Sequence, residues 1–193
     1  APYSYYWPGQ SFSGNPINNI PAGTYLVQVT DDNGCTLSAF ENVNQPSALI
    51  SQVTSQANTS CFGFGDGSVM VTAQGGIPNY TIDWLTLNND AFFMDSLFAG
   101  SYVAEITDAN GCLSTLVVDI TQPDTFFVDL VVINEETCSG SNGVAFADVT
   151  NGIGVISYLW SPSNQITSTA TGLSAGPLSV QVQDENGCQA NAY

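Results

Sequence analysis

Tyrosine apart, carboxylates and cysteines are the only titratable side chains in this sequence: 17 Asp and Glu and five Cys, with no Lys, Arg or His. Three kinds of chemistry follow from that set. Two carboxyl groups at a suitable spacing can hydrolyse a glycosidic bond. Carboxylate and amide oxygens gathered in a loop can hold calcium. Thiols can form disulfides or ligate metal. Histidine or lysine general bases, a Ser-His-Asp triad, a phosphate-gripping lysine loop and a histidine-bound zinc are all excluded.

The formal charge is −17 over 193 residues. With no cationic side chain there is nothing to neutralise phosphates, so no nucleic-acid partner is expected. A basic membrane-surface patch is absent for the same reason. No side-chain salt bridge can form, and ionised side chains only repel, over a screening length of about 8 Å at physiological salt. Yet 44% of residues are hydrophobic and 11% aromatic, which excludes a disordered acidic tail. Only 9% are charged, so the surface must be Ser, Thr, Asn, Gln and Gly, a composition that suits an extracellular setting. The apolar stretch from Phe126 to Ile133 is short and broken by Asp129, so no membrane insertion is expected. Ala1-Pro2-Tyr3 shows no signal-peptide pattern.

Internal repetition organises these residues. Ala22-Gly23-Thr24-Tyr25 through Asn33-Gly34-Cys35 returns as Ala99-Gly100-Ser101-Tyr102 through Asn110-Gly111-Cys112, and again from Ala175-Gly176 to Asn186-Gly187-Cys188. The offsets are 77 and 76 residues, and Trp7, Trp84 and Trp160 share them. Gln45-Pro46 returns as Gln122-Pro123, and Cys61 as Cys138. Residues 1–47 read as the C-terminal part of a first repeat, 48–124 as a complete second, and 125–193 as a third truncated at its C-terminal strand. The expected whole is a segment of a longer tandem array.

Within each copy the pattern is β. Tyr25, Val27 and Val29 alternate with Leu26, Gln28 and Thr30, the period of a half-buried strand. Tyr102, Ala104, Ile106 and Leu178, Val180, Val182 repeat it, and Tyr80, Ile82, Trp84 form another such face. Asn-Gly at 33–34, 110–111 and 186–187 lies between strand-like runs, a hairpin signal. Pro177 sits at the first residue of a strand, where proline is tolerated. No segment reads as helix. The fold class is all-β: tandem immunoglobulin-like antiparallel β-sandwich modules of about seven short strands each.

The middle copy carries Cys61-x-Gly63-x-x-x-Gly67-Ser68, Gly75-Gly76-x-Pro78-x-Tyr80-x-x-x-Trp84, Leu97-x-Ala99-Gly100-x-Tyr102 and Thr107-Asp108-Ala109-Asn110-Gly111-Cys112. This order closely resembles the SprB-type repeat of giant Bacteroidetes surface adhesins, many of them linked to gliding motility and type IX secretion. The third copy departs at Asn151, Val155, Pro177 and Leu178. The resemblance implies a stalk or filament of a secreted cell-surface adhesin with no catalytic residue. It also implies O-glycosylation at Ser96, in Asp95-Ser96-Leu97. Asn58-Thr59-Ser60 and Asn79-Tyr80-Thr81 are N-sequons.

Cysteines in small extracellular modules suggest disulfides. The expected pairs lie within a copy, Cys61 with Cys112 and Cys138 with Cys188, leaving Cys35 with a partner outside this segment. In a simple sandwich, however, the loop after the first strand and the last hairpin lie at opposite ends. Pairing between neighbouring modules and free buried thiols therefore stay open. For Asp31, Asn33, Asp108, Asn110, Asp184 and Asn186 the two readings are a calcium site and a hairpin turn. Two side chains per loop fall short of the six to eight oxygens calcium takes, which favours the turn. No cofactor is expected, calcium being the one candidate. Trp7, Trp84 and Trp160 are read as structural core rather than as sugar-stacking surfaces. No carboxylate pair outside the turns recurs in all copies, so no enzyme activity is expected.

These readings combine as stalk repeats of an extracellular, cell-surface adhesin for attachment or gliding. The partners expected are neighbouring repeats, other copies in a filament, and secretion machinery in transit. The alternatives are a self-assembling filament subunit, in which a neighbouring chain supplies missing strands, and a calcium- or carbohydrate-binding β-sandwich module.

Overall fold

A computed structural model describes residues 2–11, 14–87, 89–137 and 140–193 of the chain. Every regular element among them is a β-strand. Residues 4–43 form one antiparallel sheet from β1 (Ser4–Tyr6), β2 (Gly23–Thr30) and β3 (Thr36–Val43), in that order.

The next unit comprises β4 (Ile50–Ala57), β5 (Gly67–Gln74), β6 (Thr81–Trp84), β7 (Phe93–Leu97), β8 (Gly100–Thr107) and β9 (Leu113–Ile120). These make two three-stranded sheets, β4-β5-β7 and β6-β8-β9. The third unit repeats the plan with β10 (Phe127–Asn134), β11 (Gly143–Thr150), β12 (Ser157–Ser161), β13 (Thr169–Leu173), β14 (Ser179–Gln183) and β15 (Gln189–Ala192), sheeted as β10-β11-β13 and β12-β14-β15.

The described residues thus give six strands per complete unit, not seven. The chain crosses from one sheet to the other between β6 and β7 by a turn: Leu87 N–H donates to Trp84 O at 2.9 Å, and Trp84 N–H to Asn89 O at 3.1 Å.

Each two-sheet unit has its own core, because the period-two pattern points alternate side chains inward. Val69 and Val71 of β5 face Ile82 and Trp84 of β6 and Ala104 and Ile106 of β8. In the next unit Ala145 and Ala147 face Trp160, Val180 and Val182. The smaller alanines on β11 replace the valines on β5.

Trp84 and Trp160 are sealed at 1% and 0% exposure. Each buried indole still needs an acceptor for its N–H, and the chain folds back to supply one seven residues on. Trp84 Nε1 donates to Ala91 O at 2.9 Å and Trp160 Nε1 to Thr167 O at 2.8 Å. Trp7 Nε1 makes the equivalent bond to Gly14 O at 3.2 Å. Trp7 is only half-buried, however, which corrects its reading as core: the first unit contributes a single sheet among the described residues, so no second layer covers its face.

Tyr25 and Tyr102 anchor the starts of β2 and β8 by donating from the phenol to Pro21 O (2.7 Å) and Phe98 O (2.8 Å). This is the corner tyrosine of immunoglobulin-like folds. Leu178 stands at that position in the third unit, which therefore lacks the bond.

Candidate functional site: the junction between units

β4 lies alongside β9 and in the same direction. Ser51 Oγ sits 2.8 Å from Ser114 Oγ at one end, and Gln56 Nε2 donates to Asp119 O at 2.7 Å at the other. The loop after β4 therefore emerges where β9 ends, beside the exit to the next unit. Asn58 Oδ1 accepts from Thr121 N–H at 3.1 Å, and Thr59 N–H donates to Thr121 O at 3.1 Å. Gln122 Oε1 accepts from Gly63 N–H at 2.9 Å, tying the Gln-Pro linker to the same loop. Asp66 closes the loop internally, accepting from Ser60 Oγ and from Ser60 N–H (3.0 Å). The Ser60 hydroxyl, then its N–H, hold the Asp66 carboxyl below its ordinary range.

The β14–β15 hairpin meets this loop from the other side. Its turn is built on Asp184. Asp184 N–H donates to Cys188 O at 3.0 Å, Gly187 N–H to Asp184 O at 3.1 Å, and Cys188 N–H to Asp184 Oδ1 at 2.9 Å. The second carboxylate oxygen accepts from Ile153 N–H at 3.2 Å, which pins the hairpin to the linker end of its own unit. Asn151 Nδ2 donates to Thr125 O at 3.0 Å at that same end.

The β4–β5 loop of one unit and the β14–β15 hairpin of the next thus converge on the linker. Cys61 and Cys188 are joined there by a disulfide, their Cα atoms 5.6 Å apart and 127 residues apart in sequence. Both are buried. A shallow cleft of ≈ 370 Å³ beside the bond is lined by Phe62, Phe64, Phe126 and Gln189.

This corrects the within-copy pairs Cys61–Cys112 and Cys138–Cys188. Cys112 precedes β9 while Cys61 lies beside its far end. Eight residues of strand separate the two ends, about 27 Å at 3.4 Å per residue, against a limit of about 7 Å for a bridge. Cys112 and Cys35 are exposed free thiols. Cys138 lies outside the described residues.

Residues 53–89 match the SprB repeat. The match includes both Cys61 and Trp84 and stops short of the β8–β9 hairpin. No curated protein matches the chain. Among solved structures, a C-terminal 282-residue fragment of intimin, in complex with the intimin-binding domain of its translocated receptor, is similar at 12% identity and TM-score 0.32, over 88% of this chain and 55% of that one. Sidekick-1 immunoglobulin domains 1–5 are similar at 13% identity and TM-score 0.32, over 98% and 50%. A tetra-tandem repeat from the extending region of a large adhesion protein is similar at 17% identity and TM-score 0.28, over 94% and 58%. The chain spans about half to three-fifths of the length of each.

The three Asp-x-Asn-Gly loops share their closing bonds: the cysteine N–H donates to Asp Oδ1, the glycine N–H to Asp O and the Asp N–H to the cysteine O. In the β4–β9 unit Asp108 Oδ1 accepts from Asn110 N–H and Cys112 N–H, both at 2.9 Å, and Oδ2 from Ile77 N–H at 2.8 Å. Asp31 Oδ1 likewise accepts from Asn33 N–H (2.9 Å) and Cys35 N–H (2.8 Å). These are type I turns with Asp first and Gly fourth. Only the glycines, Gly34, Gly111 and Gly187, take positive φ, so the two-residue Asn-Gly hairpin suggested by the dipeptide is replaced by a longer loop.

The Asp carboxylates of all three loops thus serve backbone N–H groups. Ile77 N–H first, then Cys112 N–H, hold the Asp108 carboxyl below its ordinary value against the opposing effect of desolvation. Gly76 makes the first of these contacts feasible: a Cβ there would lie 2.4 Å from Asp108 Oδ2. Among the described residues no group of three or more Cys, Asp or Glu is placed to hold a metal ion. Ser96 is exposed on β7 and donates to Asp95 Oδ1 at 3.2 Å.

The β4–β5 loop network escaped sequence reasoning. Gln122 and Cys61 were marked by their recurrence, but their meeting was not.

Proposed function

We propose that this chain is a stalk segment of a large secreted cell-surface adhesin, serving attachment or gliding by setting reach and transmitting pull. The observation that carries this reading is the junction: successive units, each with its own core, are joined both by the linker and by the Cys61–Cys188 bond. The SprB-repeat match over residues 53–89 supports it. A structural disulfide suits an oxidising, extracytoplasmic setting. The indoles of Trp84 and Trp160 pack in cores and are closed to sugar stacking, and the loop carboxylates serve turns. These placements support a mechanical role.

Calorimetric titration of the chain with calcium and with glycans tests the reading. No saturable heat is expected at micromolar ligand; saturable binding there would replace the stalk by a binding module. In cells, insertion of further whole repeats is expected to lengthen reach while leaving ligand choice unchanged. A changed ligand preference would refute the reading.

A further inference from the structure

The β8–β9 hairpin matches the β14–β15 hairpin in its hydrogen bonds. Asp108 N–H donates to Cys112 O and Asp184 N–H to Cys188 O, both at 3.0 Å, and each Asp Oδ1 accepts from its cysteine's N–H at 2.9 Å. Each Asp also holds its hairpin at the linker end of the unit, through Ile77 and Ile153 respectively. Cys112 is therefore presented on its own unit as Cys188 is, at the end where the linker enters. One difference separates them: Cys188 is bonded and buried, while Cys112 is a free, exposed thiol. The loop that supplies Cys61 to Cys188 follows the first strand of the preceding unit. The first unit here begins at the strand equivalent to β6 and contains no such loop among the described residues.

The cysteine spacing agrees. Cys188 finds its partner 127 residues toward the N-terminus. The same step back from Cys112 or from Cys35 falls upstream of Ala1, and the same step forward from Cys138 falls beyond Tyr193.

We propose that Cys112 is the acceptor of a second inter-unit disulfide, with the first-strand loop cysteine of the preceding unit in the same chain. The proposal rests on the tandem-array reading and adds to it a covalent bond at every junction. In the step, both thiols lose a proton and an S–S bond forms. The two electrons pass to the disulfide of a thiol oxidoreductase, which leaves as the dithiol.

The test uses the full chain with residues 48–124 duplicated in tandem. The first copy's Cys61 then stands one unit ahead of the second copy's Cys112, and the second copy's Cys61 one unit ahead of Cys188. After oxidation, alkylation and digestion at Asp and Glu, the expected result is a new Cys61–Cys112 cross-linked peptide with no increase in alkylated thiols over the parent chain. Cys61→Ser in the first copy alone should remove that peptide, keep Cys61–Cys188 and expose one more thiol. Two extra thiols would overturn the proposal, as would a Cys61–Cys112 peptide surviving that substitution, since the bond would then lie within a copy.

Mapping the protein as its own cells secrete it gives a second readout independent of how the duplication folds. Cys112 bonded to a preceding unit of the same polypeptide supports the proposal. Cys112 alkylated, or bonded to another polypeptide, overturns it. Neither readout depends on ligand binding, so this failure is distinct from failure of the stalk reading.

Discussion

Reducing the Cys61–Cys188 bond should change how far the chain can be stretched. When the chain is pulled from its two ends, tension enters the second unit through β4, reaches Cys61 and crosses directly to Cys188. The residues between the two cysteines carry no load while the bond is intact. They include five of the six strands of the second unit and all but β15 of the third. Breaking the bond puts 127 residues into the load path. A fully extended chain spans about 3.3–3.6 Å per residue, so the releasable contour length rises by about 420–460 Å, less the folded span between the cysteines. Single-molecule force spectroscopy of the full chain, with and without reductant, measures this directly. Without reductant, unfolding should yield only short steps from the first unit and β4; with reductant, or in Cys188→Ser, two further long steps should appear. Equal total extension in the two states would refute the load path. The bond should also stabilise: the chain-entropy estimate for a closed loop of this size is about 5 kcal/mol when both units unfold together.

Further outcomes follow from the cores and the charge. Trp84→Ala should cost about 3–5 kcal/mol and lower the melting temperature of the β4–β9 unit while the Trp160 unit melts near its parent temperature; calorimetry should show the transitions separate. The Asp108 carboxyl is depressed in the folded state, so the unfolded state binds more protons as the pH drops. Its stabilisation is therefore complete above the ordinary Asp value of about 3.9 and is lost as pH falls below that through the folded value. Denaturant unfolding at stepped acidic pH should show this slope, and Asp108→Asn should flatten it while leaving the part due to Asp66. With −17 charges and no cationic side chain, raising monovalent salt from about 10 mM to 150 mM should raise the melting temperature, since screening only relieves repulsion. A fall would mean that attractive pairs dominate.

The strand pattern was legible because alternation is a local property. Ala104, Ile106, Val180 and Val182 point inward as their spacing requires, and the three tryptophans share one bond to a carbonyl seven residues on. Trp7 shows the limit of local reading: an equivalent place in the repeat does not give equal burial when no facing sheet stands among the described residues of its unit. The disulfide was hidden for a different reason. In a periodic sequence, a pair within one copy and a pair between neighbours differ by one whole period, so recurrence cannot choose between Cys61–Cys112 and Cys61–Cys188. The choice depends on which end of the sandwich each loop occupies. That is fixed by β4 running beside β9 through Ser51, Ser114 and Gln56, contacts no motif announces. The Asn-Gly dipeptides marked the turns correctly but concealed their type, because the preceding Asp takes over the backbone donors.

Peptide mapping under non-reducing conditions bears most directly on the stapled junction. The oxidised chain is alkylated and cleaved at Asp and Glu, trypsin having no site in a chain without Lys or Arg. A cross-linked peptide containing Cys61 and Cys188, with Cys112 carrying the alkyl group, is the predicted result. Cys61 joined to Cys112, or Cys61 and Cys188 both alkylated, would contradict it.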